Sequence, residues 1–185
     1  LEKLYEEQHQ WAEAYATRRK LAQQDTATSQ ARHQEILAFL DNELGLAALK
    51  RTDYPEAARR FEAAIELDEH TVPAYLNLGD VRFHEGDATG AIAAWERVIE
   101  SSPERAYLVF ARLESAYAKT SDASRFPALC RRLIDANPQD WRARLALARH
   151  LSSNDRTPEA LEVLFEALVH NPHALALHQA IWHTL

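Results

Sequence analysis

The sequence predicts an all-α fold, a right-handed superhelical solenoid of antiparallel helix pairs, on two observations. Gly45, Ala57, Phe61 and Ala64 recur in the same order and spacing as Gly79, Ala91, Trp95 and Val98, thirty-four residues on. Pro103, Pro138 and Pro172 then close successive apolar runs at steps of thirty-five and thirty-four residues, where a missing N–H and a fixed φ stop a helix. A fixed period of this length means one helix pair per repeat, each pair burying its apolar face against the next.

The elements follow in order. Residues 1–27 read as a partial repeat, with QWAEAYATRRKLAQQ as its second helix, Trp11, Ala14 and Leu21 in register, and LEKLYEEQ as the remnant of its first. Residues 28–71 form a repeat whose first helix is lengthened to roughly 28–50, because the extra segment ATSQARHQE contains neither glycine nor proline. Asp53 followed by Glu56 reads as a capping box for the next helix. Residues 72–106 are the best-formed repeat, with Tyr75, Leu78, Gly79, Ala91, Trp95 and Pro103 in register. Residues 107–140 diverge: Glu114 stands at a small-residue position and Phe126 replaces a packing alanine, which predicts a local change of helix angle. Residues 141–174 restore the pattern through Leu147, Ala148, Leu151, Ala160, Leu164, Ala167 and Pro172, with Thr157 before Pro158 read as an N-cap. Residues 175–185 begin a terminal helix. The chain opens with leucine, has no methionine and ends inside that helix, so it reads as a fragment of a larger protein.

Close packing explains the pattern. Gly79 and Ala148 on first helices, and Ala57, Ala91 and Ala160 on second helices, leave room for a neighbour at short interaxial distance. Tyr75, Leu78, Trp95, Phe61 and Leu164 lie three or four residues from them and fill the same face.

The period and the order of small and aromatic positions resemble the tetratricopeptide repeat. That resemblance implies a concave surface that holds a protein or peptide client. Composition agrees: 46% of residues are apolar and glycine occurs four times. A net charge of -7 disfavours nucleic acid as a partner. No run reaches the roughly eighteen apolar residues of a membrane span, so no direct membrane insertion is expected, and no secretory signal is visible. No phosphate-binding glycine loop, nucleophile elbow or metalloprotease motif occurs, so no enzyme activity and no cofactor are expected. Cys130 falls at a core position read as taking a small apolar residue, with no partner for an internal disulfide; a reducing compartment is compatible with it. His170, His173, His178 and His183 are read as exposed helix and loop histidines, not as metal ligands, since the spacing of His178 and His183 puts them on different helical faces.

The candidate protein-binding groove follows from the register, because the first helix of each pair lines the inner face. Its positions are Phe39, Asn42, Leu46 and Leu49; Leu76, Asn77, Asp80, Phe83 and His84; Leu108, Arg112, Ser115 and Lys119; and Arg142, Leu145, Arg149 and Ser152. The N-terminal half is apolar and amide-bearing. The C-terminal half is basic through Arg112, Arg142 and Arg149, planar donors suited to an acidic stretch of an extended client.

Two subfamilies can be weighed. Chaperone-binding tetratricopeptide proteins use a five-residue carboxylate clamp, and only Asn77 and Arg112 stand at clamp-like positions here, while Leu46 and Leu108 occupy places that need polar groups. The segments RRKLAQQD, ARHQEILAFLDNELGLAALK, RTDYPEAARRFEAAIELDE, GDVRFHEGDATGAIAAWERVIE and LALHQAIWHTL, with Phe126 in the divergent repeat, more closely resemble the lipopolysaccharide assembly protein B family. That resemblance implies a bacterial cytoplasmic adaptor, anchored to the inner membrane in the full-length protein. It would regulate lipopolysaccharide synthesis by presenting the lipid A deacetylase to a membrane protease. The family's anchor and zinc module have no counterpart in this segment. Two alternatives stay open: a scaffold of a secretion, pilus or envelope assembly system, and the repeat arm of a glycosyltransferase. An oligomer is compatible with either.

Overall fold

The computed structural model of the chain describes residues 3, 5, 9–24, 29–120, 122 and 124–185. Among the described residues every regular element is a helix, and within each unit helices adjacent in sequence pack on one another. The chain divides into two compact units, residues 1–101 and 102–185.

The first unit holds α1 (Trp11–Gln24), α2 (Gln30–Lys50), α3 (Tyr54–Leu67), α4 (Val72–His84) and α5 (Ala88–Ser101). The lengthened helix is α2, at 21 residues. Its expected start at Thr28 and most of the opening LEKLYEEQ lie outside the described residues. Ala14 of α1 is fully buried, but Leu21 is 44% exposed. The inward face of α1 therefore ends at a polar contact, Arg18 Nη1 at 3.3 Å from His33 Nδ1 on α2, instead of at an apolar pair.

The unit's core draws Ala38 and Ala48 from α2, Ala57, Phe61 and Ala64 from α3, Leu78 and Val81 from α4, and Ala94 from α5. The glycines sit where the register requires them. A Cβ at position 45 would lie 2.5 Å from Phe61 Cε1, and one at position 79 would collide with the Trp95 indole. The capping box is half realised. Asp53 Oδ1 accepts the Glu56 N–H at 3.2 Å, but the Glu56 carboxylate turns to Arg59 and Arg60 on its own helix instead of reaching back.

The second unit opens with a 3-10 helix, Pro103–Leu108, followed by α6 (Phe110–Lys119), α7 (Arg125–Ala136), α8 (Trp141–Ser153), α9 (Thr157–His170) and α10 (Leu175–Thr184). The repeat at 107–140 has a first helix of only ten residues, preceded by that 3-10 segment. Phe126 and Cys130 are both buried, 1% and 0% exposed. Thr157 is not the N-cap that the sequence predicts. It is the first residue of α9, and the cap position falls to Arg156, whose guanidinium bonds Glu159. Thr52, Gly86 and Asp155 all adopt positive φ, at 58°, 88° and 59°, in the turn between the two helices of a pair. Only one of the three is glycine, so two repeats hold an L side chain in left-handed backbone.

Candidate functional site

The candidate groove residues divide between the units, and the two sets differ in how much of each side chain the fold already uses. In the first unit Asn42 is buried, 5% exposed, and its Oδ1 accepts the Nδ2–H of Asn77 at 2.9 Å. This amide pair ties α2 to α4, one repeat apart. Leu46, Leu49, Leu76, Asp80 and Phe83 are half-buried. The Leu76 carbonyl accepts the Trp95 Nε1–H at 3.2 Å, and the Phe83 ring lies 5.7 Å from Trp95, so this helix face is braced from behind by α5. Phe39 is 49% exposed with its ring edge-on to Trp11, and His84 stacks on Tyr54 at 4.2 Å.

In the second unit the arginines part company. Arg112 Nη1 donates to the Leu108 carbonyl at 2.9 Å, and Ser115 Oγ donates to the Ala111 carbonyl at 2.9 Å, so both turn back along α6. Lys119, at the end of the same helix, is exposed. Arg142 lies over two rings, Tyr107 at 4.9 Å and Trp141 at 5.0 Å. Such stacking leaves an arginine's N–H edges open to an acceptor while fixing its plane. Leu145 is buried and belongs to the core. Arg149 and Ser152 come together on the wall of a cavity of about 540 Å³, with Glu114, Ser153, Gln179 and His183 around it and Ala148, Leu164, Ala176 and Ala180 behind. Arg112 and Arg142 are not among its walls.

Glu114, the residue that breaks the small-position rule, is held at 2.7 Å by His150 Nδ1, and the His150 ring lies 5.4 Å from Phe126. The two departures from the repeat pattern are thus joined through one histidine. Beneath them, burial pushes the Cys130 thiol up to about 12, and the nearby Glu114 charge adds to the rise. A thiol held so far from its thiolate is a packing residue, not a nucleophile. Among the described residues no three histidine, cysteine, aspartate or glutamate side chains gather as a metal site.

Sequence reasoning missed two features. One is a pair of clefts related by two repeats: the first, about 390 Å³, is lined by Glu62, Ile65, Glu66, Tyr75, Leu78, Ala94 and Arg97, and the second, about 240 Å³, by Arg131, Ile134, Asp135, Arg144, Leu147, Val163 and Glu166. Position matches position, and the walls exchange charge, Glu62 for Arg131 and Arg97 for Glu166. The signal lies in the register, largely at second-helix positions outside the groove. The other feature is Asp41, buried on α2, which accepts from Arg60 Nη1 at 2.9 Å. Burial pushes its carboxyl up, and the hydrogen bonds from Arg60 and Tyr15 pull against that rise without cancelling it.

The comparisons with known proteins agree with this architecture. Residues 42–121 and 127–174 match the family model of the tetratricopeptide repeat. A peroxisomal targeting signal receptor of Candida albicans is 33% identical over 98 residues, which is 52% of this chain but only 17% of that receptor. A tetratricopeptide repeat protein of Parabacteroides merdae superposes with a TM-score of 0.59 at 12% identity, over 99% of this chain and 69% of its own. MamA follows at a TM-score of 0.54 and 16% identity, over 93% and 95% of the two chains. YrrB, a tetratricopeptide protein described as having an unusual peptide-binding site, reaches 0.51 at 18% identity, over 80% and 75%. At these identities the structural likenesses speak for the fold alone. No described helix is long and apolar enough to cross a membrane. With both the helix-pair register and the family match extending over most of its length, this chain belongs to the tetratricopeptide repeat family, whose members are protein-interaction scaffolds.

Proposed function

We propose that the chain is a non-catalytic adaptor that holds an extended segment of a client protein on the first-helix faces of its repeats. The observation that carries this reading is the open cavity in the second unit, whose rim residues Arg149, Ser152, Gln179 and His183 all come from first helices. The half-buried Leu76 and Phe83 offer apolar contacts on the first unit, and Asn42 and Asn77 shape that face by bonding one another. The relative in Candida, a receptor for a targeting signal, supports a peptide as the kind of client.

The finer reading rests on the sequence resemblance to the lipopolysaccharide assembly protein B family. In it the client is the committed deacetylase of lipid A synthesis, and the adaptor presents it to a membrane protease at the cytoplasmic side of a bacterial inner membrane. The test is affinity capture from bacterial lysate with this chain, and with Arg112→Glu combined with Arg149→Glu as control. Recovery of the deacetylase or the protease, lost in the control, is the expected result. Recovery of secretion, pilus or envelope assembly components would replace the finer reading with a scaffold for those systems.

A further inference from the structure

Each helix pair sets one first-helix residue against one second-helix residue at fixed register, and their sizes trade. Gly45 faces Phe61 and Gly79 faces Trp95, each so closely that a Cβ on the glycine would strike the ring. In the next two pairs the register sets Glu114 with Cys130 and Ala148 with Leu164. As the first-helix residue grows from Gly through Ala to Glu, the second-helix residue shrinks from an aromatic ring through Leu to Cys, which is what filled volume at a fixed spacing requires. Thirty-four residues beyond Ala148, the same first-helix position on α10 is Trp182, 80% exposed.

The surface beside Trp182 departs from the repeat in one direction. On α9, Phe165 and Val169 hold the places of Glu62 and Glu66 on α3, of Glu96 and Glu100 on α5, and of Arg131 and Asp135 on α7. Those positions are charged in every other second helix, although a further pair follows each in sequence, so regular stacking does not call for apolar residues there. Phe165 and Val169 are both exposed. Leu185, just past α10, stands where α4 has Arg82. Arg82 donates to Glu62 at 2.9 Å. The equivalent positions, 185 and 165, have thus changed together from an ion pair to two exposed apolar side chains. Residues 175–185 contain no Asp, Glu, Lys or Arg. In the first unit α5 closes over the equivalent place, bringing Ala94 and Arg97 to the cleft that Glu62 and Glu66 line.

We infer that α9 and α10 form an open slot for an amphipathic helix of a partner protein. That helix lies where a second helix would lie on α10, sets a small residue, Ala, Ser or Gly, against Trp182, and turns apolar residues towards Phe165 and Val169. The slot is separate from the first-helix groove, so the chain carries one face for an extended segment and another for a helix. Elsewhere among the described residues the exposed large apolar side chains stand singly, at Leu21, Phe39 and Tyr107. A second copy would have to bring this same bulky face, which does not supply the small residue.

The probe is the helix that fills the equivalent slot beside Gly79, a stapled peptide of α5, residues 88–101. It carries Arg97→Leu, since Arg97 meets glutamates in its own cleft, and is made with either Trp95→Ala or Trp95→Leu. Stapling holds a helix that would be marginal in water at this length. By fluorescence anisotropy the Trp95→Ala peptide is expected to bind the chain about tenfold or more tighter than the Trp95→Leu peptide, the scale of an overpacked contact. Trp182→Ala restores the residue found at position 148 and is expected to reverse that order. Phe165→Glu restores the charge found at position 62 and is expected to weaken both peptides about tenfold or more. Both side chains are exposed, so the melting temperatures of these variants are expected to hold. Arg112→Glu combined with Arg149→Glu is expected to leave the peptides bound as before.

No binding, or an order of the two peptides that Trp182→Ala leaves as it was, would overturn the slot. Loss of binding in the Arg112 and Arg149 variant would place the peptide in the groove and overturn it too. A concentration-dependent dimer in sedimentation that Trp182→Ala dissolves would give the face to a second copy. Binding by this chain but not by the full-length protein would give it to another segment of the protein itself. Either result would overturn the partner helix, and none of these outcomes bears on client capture in the groove.

Discussion

In α4 and α5 the small residue stands on the first helix and the bulk on the second: Gly79 lies against Trp95, and Ala91 is small one turn before it. In α6 and α7 the same three positions carry Glu114, Cys130 and Phe126. The bulky side chain has moved one turn back along the second helix, a thiol has taken its place, and the first helix carries a carboxylate where glycine stood. Both arrangements bury their second-helix positions almost completely. What the repeat keeps between these two pairs is filled volume at a fixed register, while the identity of the residue that fills it is exchangeable.

The sharpest way to break that comparison is Phe126→Ala. The ring is 1% exposed and no neighbouring bulk replaces it, so the expected loss is about 3–5 kcal/mol of unfolding free energy for the second unit. Adding Cys130→Leu to that variant recreates the arrangement of the last pair, where Ala160 and Leu164 occupy the equivalent positions, and recovers part of the loss. Cys130→Leu alone is expected to destabilise, because Phe126 already occupies the space. Thermal melts of the three variants measure the cycle. Additive effects would show that the two positions do not share one volume.

On the other side of the comparison, Gly79→Leu forces a side chain into the Trp95 indole and displaces the hydrogen bond from its N–H to the Leu76 carbonyl. The expected cost is about 3 kcal/mol, at the upper end of overpacking effects. An unchanged melting temperature would mean that α4 and α5 do not approach as closely as Gly79 and Trp95 require.

These residues also show what could be read in advance. Gly45, Gly79, Phe61 and Trp95 were legible because a glycine and an aromatic recurring at fixed separation demand a close helix contact, and prolines marked the repeat ends. The long α2 was legible because nothing in ATSQARHQE can stop a helix. Cys130 was placed correctly in the core but for an incomplete reason. Its position holds Phe61, Trp95 and Leu164 in the other pairs, and it tolerates a thiol only because Phe126 fills in from the next turn. The register places the candidate groove residues on first-helix faces and says nothing of their contacts. Whether an arginine turns to its own backbone, to a ring or to open space depends on neighbours that a repeat register does not specify, and Arg112, Arg142 and Arg149 take one course each. The reciprocal half of the capping box is lost in the same way, since Arg59 and Arg60 compete for the Glu56 carboxylate at short range.

The smallest expected effect concerns how each region accommodates a carboxylate. Glu114 is partly exposed and engages a histidine, whereas Asp41 is buried beside Arg60 and Tyr15 with its carboxyl pushed above the ordinary aspartate value. A carboxyl raised on folding favours the folded state in its protonated form, so its contribution is fully present below the unfolded value and is lost as pH rises through the folded one. Lowering the pH from 7 towards the ordinary aspartate value therefore relieves the cost of burying the Asp41 charge. Glu56 works in the opposite sense: Arg59 and Arg60 hold its carboxyl below the usual value, so its contribution is lost only at lower pH, from the ordinary glutamate value downwards. Asp41→Asn keeps the shape and leaves Arg60 its bond to Glu56 at 2.8 Å, while removing the titrating group. The measurement is the melting temperature of both proteins across this range. The wild type is expected to gain on the variant as the pH falls, and parallel curves would show that the buried charge of Asp41 is fully compensated by Arg60 and Tyr15, which would make the two regions equivalent in how they hold a carboxylate.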